Sequence, residues 1–195
     1  YKIVDAAQET GSILAVGLVR RFFPATQIIK SVLATHMLGT LRAFQCFEGG
    51  TFQWPVRSRT YFDRTVTGGG VLQDIGPHIF DLLSWWFGSP TLAKYEDDSM
   101  GGVEANCRIR LEYDNFAGEI QLSRDWNRPN RFLFQGAHAW LIWDPNETER
   151  IEIGFPGNKI MASASLYDFG FDKPAALLGR PSRNFHQSFV EQIRN

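Results

Sequence analysis

Apolar residues recur at helical spacing over the first ten positions of the chain and then form a continuous run. The spacing predicts a helix over residues 1–10, and Gly11 supplies a residue suited to positive φ just after it. Residues 13–16 are apolar without alternation, which is typical of a strand buried on both faces of a parallel sheet. Because a helix leading into such a strand completes an α/β unit, we expect residues 1–19 to be the remnant of a truncated domain. We therefore interpret the chain as a piece of a longer polypeptide.

Helical spacing returns at three later places in the chain. A second helix is predicted to begin at Pro24 and to end at Gly39. A third runs from about Asp74 to Phe87, after a run of three glycines. Residues 184–194 carry the spacing of a last helix.

Short extended runs fill most of the remaining sequence. Residues 41–48 are extended, and residues 157–181 are predicted to be a loop. Six further extended runs are separated by turn residues: 92–96, 104–113, 117–124, 131–136, 139–143 and 150–153. For residues 20–195 this order predicts an α+β fold, with an open, mainly antiparallel sheet of about six strands in a meander and helices on one face.

Composition and charge exclude several classes of protein. The 195 residues include 20 Lys and Arg against 21 Asp and Glu, so no basic patch for nucleic acid or an anionic membrane is expected. The longest uninterrupted apolar run is far shorter than the roughly 20 residues that span a bilayer. Two cysteines, Cys46 and Cys107, form no disulfide framework for a chain of this size and are expected to be buried thiols. We expect a cytoplasmic protein with no nucleic-acid or membrane partner.

The densest functional signal surrounds Asp74 and His78. Four positions apart on a helix, they lie on one face, and the glycines at 68–70 are expected to let backbone approach another group closely. Gly76 is expected to open space between the two polar side chains. In the first helical turn the positive end of the helix dipole would keep the His78 imidazole neutral and available as a base. The alternatives are an Asp74 that caps the helix and a His78 that is a core residue.

Other residues are weaker candidates. A metal site could combine Asp74 and His78 with Asp81, but no second cluster of ligands completes it, so we expect no metal. Arg20 and Arg21 are suited to a cofactor or substrate phosphate, but an interdomain salt bridge is the favoured interpretation, with Arg21 the candidate for weak cofactor contact.

Three aromatic residues are candidates for contact with a substrate, of which Trp54 and Tyr61 are the predicted binding residues. Trp54, Tyr61 and Phe62 lie in a segment without a clear period, which is typical of a long loop. Their rings are suited to stack on a sugar ring, and the alternative is that they pack within the loop.

Three stretches of the sequence resemble the Gfo/Idh/MocA oxidoreductases. GGGVLQDIGPHIFDLLSWWFG at residues 68–88 is similar to the family's GGG-x-L-x-D-x-G-x-H-x-x-D segment, residues 17–41 to the segment that enters its second domain, and residues 185–195 to a late helix. The resemblance implies that His78 is the acid/base that exchanges the proton of a reacting hydroxyl and that Asp74 helps to bind this hydroxyl. It also implies that residues 1–19 end a Rossmann domain and that residues 20–195 form the substrate-binding and oligomerisation domain, incomplete at its C-terminus.

The same resemblance implies the cofactor and the substrates. NAD or NADP would be bound mainly by the absent N-terminal domain, because neither a GxGxxG turn nor a Glu-Lys-Pro tripeptide occurs in this chain. The implied substrate is a sugar, a cyclitol or a sugar-derived molecule, and we expect the chain alone to be inactive. The alternative is a non-catalytic oligomerisation or ligand-binding module that retains the site residues.

Alternating large apolar residues on several strands predict self-association. Ile109 with Leu111, and Phe132 with Phe134, would leave an apolar sheet face bare if the helices covered only the other face. We expect a homodimer through this open face, with tetramers as the next assembly.

Overall fold

The computed structural model describes residues 2–53, 55, 59–157 and 161–165, with the backbone alone for residues 59 and 161–165. Two short 3-10 helices cover Val19–Phe22 and Arg59–Phe62. Four α-helices occur within these ranges: α1 (Lys2–Thr10), α2 (Pro24–Ala34), α3 (Arg64–Thr67) and α4 (Val71–Phe87).

Eight strands of the described chain form one sheet. They are β1 (Leu41–Gly49), β2 (Leu92–Asp97), β3 (Asn106–Glu112), β4 (Ala117–Ser123), β5 (Arg131–Gly136), β6 (Trp140–Trp143), β7 (Arg150–Gly154) and β8 (Met161–Ser165). Their order across the sheet is β2-β3-β4-β1-β5-β6-β7-β8. The α+β class and the mainly antiparallel sheet are therefore confirmed, with two more strands than the approximate number predicted.

Strand β1 divides the predicted meander into two. It lies between β4 and β5, antiparallel to β5 but parallel to β4, with Cys46 opposite Ile120. The other described neighbours pair antiparallel. Since β1 and β4 run in the same direction, their carboxyl ends, Gly49 and Ser123, meet at one edge of the sheet.

The core lies between this sheet and helices α2 and α4. Helix α2 packs on β7 and β8, and α4 packs on β3 and β4. The Trp86 indole N–H donates to the Thr26 carbonyl at 3.3 Å and joins the two helices. Alternate strand residues point into this layer, among them Phe44, Ile109, Leu111, Ile120, Phe132, Phe134, Leu141 and Trp143. The helices thus cover one face of the sheet, as predicted.

The residues expected to form a bare apolar face lie on the covered face instead. Ile109, Leu111, Phe132 and Phe134 are at most 4% exposed and belong to the core under the helices. On the side turned away from the helices, β3 and β4 carry charged side chains, and Arg108 forms an ion pair with Glu119 at 3.6 Å. The expectation for these four residues is wrong because alternation shows which residues share a face but not which face receives the helices.

Several predicted boundaries also change. Residues 13–16 form no strand and their side chains are exposed, because the described residues provide no neighbouring strand to accept their backbone hydrogen bonds. Helix α2 ends at Ala34 rather than at Gly39. Strand β8 falls within the predicted loop at 157–181, and the predicted helix at 184–194 lies outside the described residues.

Two further observations concern membrane-spanning helices and the cysteines. Within the described ranges, no helix has the length and apolar character that crossing a bilayer requires. Cys46 and Cys107 are buried free thiols, as predicted. Burial raises the pKa of Cys107 to about 12 and that of Cys46 well above its ordinary value, so neither thiol is activated as a nucleophile.

Candidate active site

The candidate site lies at the sheet edge where the parallel strands β1 and β4 end. The N-terminus of α4 packs beside this edge, where Asp74 borders two adjoining clefts and His78 borders the first of them. The first cleft, of about 320 Å³, is bordered by Glu48, Thr51, Gln53, Asp74, His78 and Asn130. The second, of about 340 Å³, is bordered by Phe52, Tyr61, Phe62, Val71, Val103 and Asp74.

The glycine run brings the start of α4 against Glu104. The Glu104 carbonyl accepts the Val71 N–H at 3.1 Å, and its Oε1 accepts the Leu72 N–H at 2.9 Å. These two bonds satisfy backbone donors that a helix N-terminus otherwise leaves unpaired. A Cβ on Gly70 would lie 2.0 Å from the Glu104 carbonyl oxygen. The glycine at 70 therefore permits the expected close approach of backbone, and the group that it approaches is Glu104 of the same chain.

Helix α4 begins three residues earlier than predicted, which changes the positions of both polar residues. Gly70 is the N-cap residue, and the Asp74 N–H bonds to its carbonyl at 3.3 Å. Asp74 is therefore not the helix cap, and His78 lies in the second turn rather than the first. The Glu104 cap comes from a residue more than 30 positions away, so no local pattern indicates it.

Gly76 also has a role different from the one expected. It is buried on α4, and a Cβ there would lie 2.8 Å from Leu72 Cδ1 and 3.3 Å from Phe80 Cε2. Gly76 thus makes room for neighbouring side chains of its own helix. The space beside His78 comes instead from the end of β1.

The His78 imidazole is half-buried in the first cleft. Its Nδ1 is buried and has no hydrogen-bond partner among the described residues. Desolvation by burial and, after it, the positive charge of Arg20 lower the pKa of His78, while Glu48 and Asp81 oppose the shift. The ring is therefore neutral near pH 7 and has a nitrogen able to accept a proton. This supports a base at His78, through burial rather than through the helix dipole.

Two ion pairs hold the surroundings of His78. Arg20 binds Glu48 with two hydrogen bonds of 2.6 and 2.5 Å, and both side chains are less than 20% exposed. Arg21 binds the Asp81 carboxylate at 2.8 and 2.6 Å. Such paired contacts fix a guanidinium and a carboxylate in one plane. The salt-bridge alternative for the two arginines is thus present, but each pair lies within residues 20–195 rather than between domains.

The Asp81 carboxylate, which the metal alternative requires, faces Arg21 rather than His78. In the part of the chain that the structure describes, no three His, Cys, Asp or Glu side chains are grouped as metal ligands.

Asp74 lies between the two clefts and forms an ion pair with Arg124. The Arg124 side chain is 16% exposed and that of Asp74 is 43% exposed. The Tyr61 hydroxyl is 3.5 Å from Asp74 Oδ2, so the structure brings this predicted substrate-binding residue to the site. Trp54, which was also predicted to bind the substrate, lies outside the described residues.

Four residues of the site have no counterpart in the sequence predictions: Glu48, Glu104, Arg124 and Asn130. The position of Glu48 and Arg124 at the ends of two extended runs is a usable signal, once β1 and β4 are known to be parallel neighbours. Asn130 Oδ1 accepts the Gly49 N–H at 2.9 Å and holds the end of β1. Because this contact joins residues 81 positions apart, only the tertiary structure reveals it.

A family model described as the GFO/IDH/MocA C-terminal domain matches residues 26–142, which is more than half of the 195-residue chain. The chain belongs to this family. The match includes Asp74, His78, Arg124 and both strands that end at the site. The family resemblance drawn from the motif at 68–88 is thereby confirmed.

Two curated proteins with different names are similar in sequence to this chain. The rhizopine catabolism protein MocA of Rhizobium meliloti is 29% identical over 121 residues, which cover 62% of this chain and 32% of that protein. The trans-1,2-dihydrobenzene-1,2-diol dehydrogenase of Mus musculus is 27% identical over 186 residues, covering 86% of this chain and 54% of that protein. The chain thus spans about half or less of the length of these relatives.

Solved structures share the fold. A levoglucosan dehydrogenase in complex with NADH and levoglucosan gives a TM-score of 0.75 at 14% identity, covering 93% of this chain and 56% of that one. An inositol dehydrogenase homologue from Azotobacter vinelandii, complexed with NADH and myo-inositol, gives 0.71 at 17% identity, covering 92% and 49%.

Proposed function

We propose that this chain is the substrate-binding and catalytic C-terminal domain of an NAD(P)-dependent oxidoreductase. The reaction transfers a hydride between nicotinamide and a hydroxyl or ketone carbon of a sugar, a cyclitol or a sugar-derived substrate. The names of the relatives support this class, since they include dehydrogenases of a cyclic diol, of levoglucosan and, by homology, of inositol.

The observation that carries the proposal is the state of His78. Oxidation of an alcohol releases a proton from the hydroxyl as the hydride leaves carbon, so a neutral base must lie within hydrogen-bond reach of that oxygen. Burial lowers the pKa of His78, so its ring is neutral near pH 7, and the ring borders a cleft able to admit a small molecule. In the reducing direction the same imidazolium would return the proton to the alkoxide oxygen.

We propose that Asp74 binds either the reacting hydroxyl or the hydroxyl on the neighbouring carbon. Its carboxylate is the more exposed partner of the pair with Arg124, so one oxygen remains accessible from the cleft. Arg124 orients this carboxylate through the ion pair. A fixed carboxylate and a neutral imidazole one helical turn apart are suited to hold one substrate hydroxyl between them.

The cofactor supplies or accepts the hydride when it is bound. The cleft beside His78 fits the substrate side of such a reaction. The sequence contains no GxGxxG turn, so we propose that residues of a separate dinucleotide-binding domain hold NAD or NADP. Arg21 is engaged by Asp81 and would contribute little to cofactor binding.

Self-association through the sheet face opposite the helices remains part of the proposal. That face carries a stack of Phe47 and Trp126 rings at 6.1 Å, with the Arg128 guanidinium over Phe47 at 3.6 Å. Aromatic and arginine side chains are enriched at protein interfaces. The support therefore comes from these side chains and not from the apolar residues expected at first.

The test compares His78→Ala with wild type in the full-length protein that carries this chain. We expect kcat to fall by about 10²-fold or more, with cofactor affinity unchanged within a few-fold, because the substitution removes acid–base catalysis alone. His138→Ala is the matched control, since His138 is exposed at the opposite edge of the sheet. Normal turnover by the His78 variant would refute its role and favour a non-catalytic module.

A further inference from the structure

The second cleft differs in chemistry from the cleft that holds His78. Three aromatic rings form its wall: Phe52, Tyr61 and Phe62, with centroids 5.4 to 5.8 Å apart. Val103 adds aliphatic surface. Tyr61 is 39% exposed and Phe62 53%, so much of this apolar surface is open to solvent. An open aromatic cleft beside a catalytic group is a feature that ligand binding explains.

Most of the described polar side chains that border this cleft have partners in the protein, whereas Gln73, which also borders it, is exposed to solvent. The Thr67 hydroxyl donates to the Gly69 carbonyl at 2.9 Å, and Glu104 Oε1 accepts a helix N–H. Asp74 is paired with Arg124 and lies 3.5 Å from the Tyr61 hydroxyl. The hydroxyls of a fully hydroxylated ring that lie against the aromatic wall would lose water without gaining a protein partner, and each such loss is costly. The cleft therefore favours an apolar ring.

The two clefts meet at the Asp74–Arg124 pair, which borders both. A substrate that reaches from one to the other would place its hydroxyl-bearing carbon beside His78 and its remaining carbon skeleton against the aromatic wall. Asp74, on the boundary, is positioned for a second hydroxyl on the neighbouring carbon.

We propose that the substrate is an amphipathic cyclic alcohol, with one or two adjacent hydroxyls on an otherwise apolar ring, rather than a fully hydroxylated sugar or cyclitol. The inference rests on the proposed function and narrows its substrate class. Phe62 is then a specificity-determining residue, because it borders the second cleft and not the cleft that holds His78.

The test uses two six-membered rings that differ in hydroxyl number, trans-cyclohexane-1,2-diol and myo-inositol, with the full-length protein and either nicotinamide cofactor. We expect kcat/KM for the diol to exceed that for inositol by about 10-fold or more, because each buried hydroxyl without a partner lowers transition-state binding. Phe62→Ser should raise KM for the diol about 5-fold or more with kcat little changed, since it removes uniform binding of the ring. Phe155→Ser is the control, because Phe155 is also exposed, at 41%, but lies outside both clefts.

The outcomes separate this inference from the proposed function. Turnover of inositol or another polyol in preference to the diol would overturn the inference and leave the oxidoreductase proposal intact. Absence of turnover with any alcohol would count against the oxidoreductase proposal, and binding then decides the inference. In that case saturation-transfer NMR should show contact of the diol ring protons with the protein, lost in Phe62→Ser; equal signals from both variants would refute the aromatic subsite.

Discussion

Replacement of Gly70 by alanine tests whether the glycine run serves the fold or a ligand. The added Cβ would lie 2.0 Å from the Glu104 carbonyl oxygen, whereas ordinary contacts begin at 3.4 Å. Both partners are fixed to backbone, so no rotamer change relieves the overlap. The start of α4 must move away from Glu104, which strains the hydrogen bonds to Val71 and Leu72.

The expected cost combines two contributions. Two weakened hydrogen bonds contribute about 1 kcal/mol each. Overpacking at a fixed backbone contact contributes about 1–3 kcal/mol. We therefore expect Gly70→Ala to lower the free energy of unfolding by about 3 kcal/mol. Gly50→Ala is the matched control: a Cβ there meets nothing within 4 Å, and the expected change is within about 0.5 kcal/mol of zero.

Urea unfolding followed by circular dichroism measures both variants. The midpoint of Gly70→Ala should move to lower urea with the slope unchanged, which indicates a loss of stability rather than a change in the unfolded state. If Gly70→Ala is as stable as Gly50→Ala while ligand binding is weakened, the contact with Glu104 is not what requires the glycine. The glycine run would then serve ligand approach after all.

Two further predictions concern charges at the site. Arg20→Gln removes a positive charge that lowers the pKa of His78 and leaves Glu48, which raises that pKa. The acid limb of the kcat/KM profile for alcohol oxidation should therefore move to higher pH. A limb that stays in place or moves to lower pH contradicts the assigned cause. Asp74→Asn leaves the largely buried Arg124 without its carboxylate and should cost about 1–2 kcal/mol in thermal unfolding as well as activity. The double variant Asp74→Asn with Arg124→Gln should recover stability but not turnover, and recovery of neither would show that the pair is not the origin of the loss.

Local patterns in the sequence were sufficient for much of the fold. Helical spacing identified α2 and α4, and period-two alternation bounded by turn residues located β2 to β7 within a few positions. Such patterns depend on neighbours a few residues away, which the sequence displays directly. They also placed Asp74 and His78 on one helical face, as the structure has them.

Tertiary structure alone decided how these elements meet. The insertion of β1 between β4 and β5 pairs segments distant in sequence, and it brings Glu48 and Arg124 to the end of α4. The same tertiary contacts bring Glu104 to the N-terminus of α4. The helix therefore begins earlier than the sequence predicts, and Gly70 lies against Glu104. The sequence shows which residues are apolar or charged, but the partner of a buried charge or of an unpaired N–H is set by contacts between residues far apart along the chain.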